Sequence, residues 1–340
     1  MTIPWLALTV DQRRAVINNV EINSGFPAKA IEKDWWVTIV LKALFNTTYS
    51  ENLLFKGGTS LSKCWHLINR FSEDIDVAID KEIVGFEGEI NPSSIKRLKK
   101  LSLAFTTTKL KDALEIEMLS LGVPAGEFSI VPEEAKSSET DPAKLIILYN
   151  PIIAPVLYIK DQVELEVTAR SLKEPYSNIQ ISSIIDEYSS GSSFYLSPFQ
   201  IPTVKPERTF LEKAFLLHEE LSKPPEKIKT YRMSRHFYDL HMIMDTDYGS
   251  IAINRSDLYQ TIVSHRSTFN KIAGIDYNSH LPNTIDFIPQ DNLIKPWEED
   301  YIEMRKMMAG EPPTFFVLME RMRELRNRFR QIVIRPGSRT

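Results

Sequence analysis

The stretch Phe55–Asp80, "FKGGTSLSKCWHLINRFSEDIDVAID", decides how this chain is read. "NLLFKG" is a short apolar strand running into Gly57-Gly58, and "SLSKCWHLIN" predicts a helix opening directly after the turn. "DIDVAID" then alternates, with Ile75, Val77 and Ile79 on one face and Asp74, Asp76 and Asp80 near the other. Acids beside buried positions cost stability unless something positive sits against them, so a cationic ligand is expected here. Residues two apart on a strand point the same way with Cα atoms roughly 6.5 Å apart, which makes Asp74 and Asp76 a side-by-side pair of carboxylates. Hard oxygen donors of this kind suit Mg2+ or Mn2+. Two such ions about 4 Å apart would clamp the entering and leaving oxygens of a phosphoryl or nucleotidyl transfer. The turn itself, Gly57, Gly58, Thr59 and Ser60, offers backbone N–H groups to phosphate oxygens at a helix start, with Lys63 a turn or two further on. "GGTSLSK" lacks the G-x-x-x-x-G-K-[ST] spacing, which excludes a P-loop.

Outward from this core, "DQRRAVINNVEINSGFPAKAIEKDWWVTIVLKALF" reads as two helices broken at Gly25 and Pro27, with Ile31, Trp35 and Ile39 four apart on the second. "SIKRLKKLSLAF" and "KLKDALEIEMLSLG" are helical, while "KLIILYNP", "PVLYIKDQVELEVTARS" and "SFYLSPFQIPTVKP" are rich in strand formers. In "QVELEVTARS", Val163, Leu165 and Val167 share one face and Glu164 and Glu166 the other. Either acid is a third metal ligand from a neighbouring strand, or both are solvated. After Pro206 the periodicities are helical apart from a loop-like stretch around "NSHLPNTIDFIPQDN", so a boundary falls near residue 205 between units 1–205 and 206–340. The architecture expected is α+β, a mixed sheet with helices followed by a mostly helical C-terminal domain. In "PERTFLEKAFLLHEEL" the apolar residues cover most of the circumference, burying Lys213, which needs either a triphosphate or an acid of its own fold as partner. In "RMSRHFYDLHMI", Arg235 and Asp239 stand four apart and favour a simple surface pair.

Composition sets the bounds. With 340 residues, 43% of them hydrophobic, the chain is an ordinary globular one, long enough for two domains. One cysteine, Cys64, rules out an internal disulfide and fits a reducing compartment. No signal peptide or membrane span is read, and a cytoplasmic location is expected. Net charge is −4, from 41 basic and 45 acidic residues, so a nucleic-acid partner requires a local basic patch. Two runs qualify: Lys96, Arg97, Lys99, Lys100, Lys109 and Lys111 without an acid between them, and seven arginines from Arg321 to Arg339 against Glu324 alone. Solvated helix faces are the bland alternative.

With these residues in place, the sequence resembles the AbiEii-type nucleotidyltransferase toxins, the toxin half of type IV toxin–antitoxin systems, built on a DNA polymerase β-like nucleotidyltransferase fold. The matching segments, in the family's order, are "IEKDWWVT", "FKGGTSLSK…RFSEDIDVAI", "LEVTARS", "PERTFLEKAFLLH" and "RMSRHFYDLHMI", with a looser match at "WEEDYIEMRKMMAGEPPTF". The resemblance implies that the metal-binding acids are Asp74 and Asp76 and that the glycine turn is Gly57 and Gly58 with Thr59 and Ser60. It puts the family's essential lysine on Lys213, its later essential aspartate on Asp239, and the acid of the "LEVTARS" segment on Glu166 rather than Glu164. Lys33, Asp34, Arg70, Arg170, Arg208 and Arg235 match the pattern without an assigned role; for Arg70 and Arg208 the choices are phosphate binding or holding the acids. The function implied is metal-dependent transfer of a nucleotide from NTP to RNA, with the tRNA 3′ end as acceptor, in a helical domain-assisted site where Lys63 and Lys213 meet the phosphates. The alternatives are a protein or small-molecule hydroxyl as acceptor, or a non-catalytic nucleotide- or antitoxin-binding protein. A cognate antitoxin is the expected functional partner.

Overall fold

A single turn at Pro4–Ala7 (α1) precedes a capping box, in which Thr9 Oγ1 accepts from Gln12 N–H while Gln12 Oε1 accepts from Thr9 N–H. The helix so started, α2 (Val10–Ser24), ends at Gly25 with φ +74°, and α3 (Ala28–Asn46) follows. This structure, a computed structural model, describes residues 2–334 apart from 89, 92, 157, 171–174, 270, 271 and 273. Ser171 of "LEVTARS", Arg335, Arg339 and the Arg170 side chain therefore lie outside what is described.

Its chain divides into two compact units, Met1–Val204 and Lys205–Thr340. The first is built on a seven-stranded mixed sheet of β1 (Leu53–Lys56), β2 (Ile75–Asp80), β3 (Phe128–Pro132), β4 (Ala143–Tyr149), β5 (Gln162–Arg170), β6 (Tyr176–Ile181) and β7 (Phe199–Val204). Spatial order is β3-β4-β5-β2-β1-β7-β6. The β2–β5 and β1–β7 pairs are parallel and the others antiparallel, so β2 and β1 lie near the middle of the sheet. The short helix α4 (Gly57–Lys63) continues straight from β1. Next come α5 (Ile95–Phe105) and α6 (Lys111–Ser120), joined by one π-helical turn at Thr106–Leu110, and a last short helix, α7 (Ile184–Tyr188).

The expected helix over "SLSKCWHLIN" is cut short. It stops at Lys63, His66 takes a left-handed φ of +49°, and Trp65 Nε1–H donates to the Val204 carbonyl at 3.1 Å. A continued helix would carry that indole away from its acceptor on β7. In "SFYLSPFQIPTVKP" only Phe199–Val204 is strand, and β3 and β6 were not anticipated. The lone thiol, Cys64, is buried after α4 and accepts a hydrogen bond from Thr203 of β7 at 3.5 Å.

The second unit is helical: α8 (Pro206–Leu221), α9 (Arg235–Ile243), α10 (Asp247–Asn254), α11 (Ser256–Phe269), α12 (Ile294–Met304) and α13 (Phe315–Arg330). Phe315, Leu318, Met322, Leu325 and Phe329 of α13 recur at three- and four-residue spacing and are buried. Phe329 meets the rings of Phe210, Tyr259 and Phe287. The arginine run of this helix is not the bare patch its local sequence suggests. Arg321 and Arg328 both pair with Asp245, Arg326 pairs with Asp286 and Arg323 with Glu320. Asp245 and Asp286 lie too far off in the chain for a window around α13 to have counted them. No helix among the described residues is long and apolar enough to cross a membrane.

Candidate active site

Gly57 has φ +83°, and a Cβ placed on it would lie 1.9 Å from Asp76 Oδ2. The Asp76 carboxylate thus rests directly on the glycine backbone at the end of β1, a position no other residue type allows. Asp76 is on β2, and Asp74 immediately precedes that strand; both are half-buried. Gly58 faces a different obstacle, because its Cβ would come within 2.8 Å of Ser72 Oγ and 3.1 Å of an Arg70 guanidinium nitrogen. The hydroxyls of the turn point into the protein. Thr59 Oγ1 donates to the Asp74 carbonyl at 2.5 Å and lies 3.0 Å from Ser72 Oγ, and Ser60 Oγ donates to the Gly57 carbonyl at 2.9 Å. Thr59 therefore ties α4 to the backbone of one acid while Gly57 carries the side chain of the other.

Helix α3 supports this core with charge. Fifteen of its nineteen residues are buried, Lys29, Glu32, Lys33 and Asp34 among them. A buried charge is tolerated only with a partner; Lys29 and Glu32 pair within the helix, and Lys33 and Asp34 find partners far along the chain. Lys33 Nζ donates to Glu73 at 2.5 Å, both side chains being 1% exposed, and Glu73 is the residue before Asp74. Asp34 accepts from Lys63 Nζ at 2.8 Å and from Ile184 N–H at 2.7 Å. Lys63 also donates to the Ser182 carbonyl at 2.8 Å. The lysine expected on phosphate is thus anchored first by α3, although it also lines a cavity of about 120 Å³ together with Thr59, Ser72 and His66.

Strand register sets the two candidate acids of β5 apart. Asp76 lies opposite Glu166 on β5, whereas Glu164 is not in line with it and is held by Lys160 at 2.7 Å and Gln162 at 3.0 Å. Burial pushes the Glu164 pKa up, but those hydrogen bonds and the Lys160 and Lys144 charges outweigh it and bring it below the ordinary carboxylate value. Glu166 is met by Lys144 Nζ at 2.6 Å. No three acid, His or Cys side chains among the described residues converge as a ready-made metal cage. A pair of carboxylates still fits a hard divalent ion that takes its remaining oxygens from substrate phosphates, the common arrangement for Mg2+.

In the helical unit, Lys213 on α8 pairs with Asp239 on α9 at 2.9 Å, and His236 Nδ1 lies 3.5 Å from the same ammonium. Asp239 is 0% exposed. The surface pair expected between Arg235 and Asp239 does not describe this aspartate, since α9 turns it inward onto α8. Arg208, also buried, pairs with Glu212 at 3.1 Å. Sequence reasoning had no partner for Lys33 or Asp34 and overlooked Lys144, whose one signal was a cation at the head of the apolar run "KLIILY".

The profile of the AbiEii family, described as nucleotidyl transferase AbiEii toxin of type IV toxin–antitoxin systems, matches residues 39–334. The chain belongs to the AbiEii family. This AbiEii chain is accordingly a nucleotidyltransferase of the toxin type. Among solved structures it resembles MenT4, a nucleotidyltransferase toxin from Mycobacterium tuberculosis H37Rv, at 16% identity and a TM-score of 0.58, covering 96% of this chain and 91% of that one. JHP933 from Helicobacter pylori aligns at 18% identity and TM-score 0.44, covering 90% and 93%. No curated protein matches the AbiEii chain in sequence.

Proposed function

We propose that this AbiEii chain transfers a nucleotide from an NTP to an RNA acceptor, the 3′ end of a tRNA in the first instance, with release of pyrophosphate. The observation that carries the reading is the Asp76 carboxylate seated on Gly57, with Asp74 tied through its carbonyl to Thr59. Two acids beside the backbone of a glycine turn support a triphosphate as the ligand of this site. Asp74 and Asp76 are the residues proposed to hold Mg2+ or Mn2+, with Glu166 as the third acid. The bound ion would neutralise phosphate charge and acidify the acceptor hydroxyl. Of the chain's own groups, one carboxylate accepts the hydroxyl proton. The N–H groups of Gly57, Gly58, Thr59 and Ser60 receive phosphate oxygens. Lys63, with two of its three donors already used, offers the cavity beside α4 the remaining one. Lys213, aimed by its pairing with Asp239, is the second lysine proposed for the phosphates. The basic face of α5, where Lys96, Arg97 and Lys100 are exposed, is proposed to meet the RNA backbone. A cytoplasmic location and a cognate antitoxin complete the proposal.

The test is incubation of the full chain with each labelled NTP and with total tRNA, protein extract or small-molecule hydroxyls, followed by mass spectrometry of the labelled product. Label on tRNA that vanishes in Asp76→Ala is the expected outcome. Label on protein or a small molecule would change the acceptor, and wild-type transfer by Asp76→Ala would remove the whole scheme.

A further inference from the structure

Four side chains stand in line across four adjacent strands. Lys56 on β1 is opposite Asp76 on β2, Asp76 is opposite Glu166 on β5, and Glu166 is opposite Lys144 on β4. Partners in register share one face of a sheet, so the row reads plus, minus, minus, plus. Like charges directly opposite each other are unfavourable, and here the two central acids are neighbours. What relieves them in this structure is the lysine on the outer side. Lys144 Nζ meets Glu166 at 2.6 Å and Glu164 at 3.7 Å, and its side chain is 25% exposed. Lys144 is thus a cation in direct contact with Glu166, and among the described residues the three acids of the proposed site do not gather into a metal cage.

We propose that Lys144 is an internal competitor for the divalent ion: it holds Glu166 while the site is empty and releases it to the metal when triphosphate binds. This rests on the reading of Asp76 and Glu166 as metal ligands. A competitor of this kind keeps the acidic row neutral without metal and makes metal uptake weaker than two carboxylates alone would allow. Loading of the site is thereby tied to arrival of the nucleotide, whose phosphates supply the oxygens that tip the exchange. Lys144 is a positioning residue acting through Glu166.

The test is direct Mn2+ binding to the full chain, read from the loss of the free-ion electron paramagnetic resonance signal, with and without a non-hydrolysable NTP analogue. Lys144→Met and Lys144→Gln are both used, so that one poorly folded variant does not end the experiment. Each is expected to tighten Mn2+ binding without nucleotide by roughly three- to fivefold, the scale of a partly exposed ion pair. In a Glu166→Gln background the same substitutions are expected to change nothing, because the lysine then has no ligand to withhold. Equal affinity in wild type and both variants would overturn the proposal. So would equal tightening with and without Glu166, which would mark Lys144 as a general positive charge. An Asp76→Asn control separates the two levels: Mn2+ binding that ignores Asp76 defeats the metal assignment itself, whereas binding that needs Asp76 but ignores Lys144 defeats only this inference.

Discussion

Gly57 and Gly58 are adjacent, yet each carries a hydrogen in place of Cβ for its own reason. At Gly57 the obstacle is the Asp76 carboxylate at 1.9 Å and a backbone at φ +83°, so Gly57→Ala is expected to lose roughly 1–3 kcal/mol of stability. It should also lose nearly all nucleotidyl transfer, because the carboxylate must leave its seat. At Gly58 the nearest atoms are ends of the Ser72 and Arg70 side chains, which can rotate aside, and Gly58→Ala should be the milder change in both thermal denaturation and transfer assays. Lys213 and Asp239 call for a different experiment. Lys213→Met leaves a carboxylate at 0% exposure without its lysine and should cost about 3–5 kcal/mol. The Lys213→Met/Asp239→Leu double variant should recover most of that stability and none of the activity; recovery of both would reduce the pair to packing. The acids and glycines were legible because residues of those types are costly in a strand–turn–helix without a use. The partners were not: Glu73 lies 40 residues from Lys33, and only the fold brings them together.

At the level of elements, α3 behaves as a charged spine for the acidic strand. Breaking its Lys33–Glu73 pair with Lys33→Met should cost about 3–5 kcal/mol in denaturant titration, since both groups are 1% exposed. The helix α5 is the opposite case, with Ile95, Leu98, Ser102 and Phe105 buried and its cations turned outward. Changing Lys96, Arg97, Lys99 and Lys100 together to Gln should leave the melting temperature nearly unchanged. It should also weaken tRNA binding and flatten its dependence on salt, measured by filter binding at several salt concentrations. Unchanged affinity and slope would return this face to solvent. Long periodic helices such as α3 and α13 were readable because burial repeats within each. The end of α4 was not, because it is set by Trp65 reaching the Val204 carbonyl, 139 residues on. β3 and β6 escaped notice because each borders the sheet on one side only and alternates weakly.

Across the whole molecule, acid is expected to act on the helical unit before carboxylates titrate. Burial lowers the pKa of His218 and of His241 below the ordinary imidazole value of about 6.5. Each is neutral in the folded chain at pH values where the unfolded chain has bound a proton. Their contribution is therefore complete above about pH 6.5 and is lost as pH falls from there to the lowered folded values. Thermal denaturation between pH 7 and 5 should show a falling melting temperature, and His218→Gln should flatten the fall. A profile that is flat over this range in the wild type would contradict it. The α+β plan was visible in the order of apolar alternation and helical period; the charge row across four strands was not, since register joins residues that sequence keeps apart. One feature of the sheet also equips the molecule with its own probe. Cys64 is the sole thiol of the chain, enclosed between α4 and β7 with its pKa pushed up to about 12. It stays silent to alkylating reagents until α4 lifts from β7. The rate of labelling in native buffer thus times the opening of the very helix that begins with the glycine turn, and a bound triphosphate that clamps that helix should slow the clock.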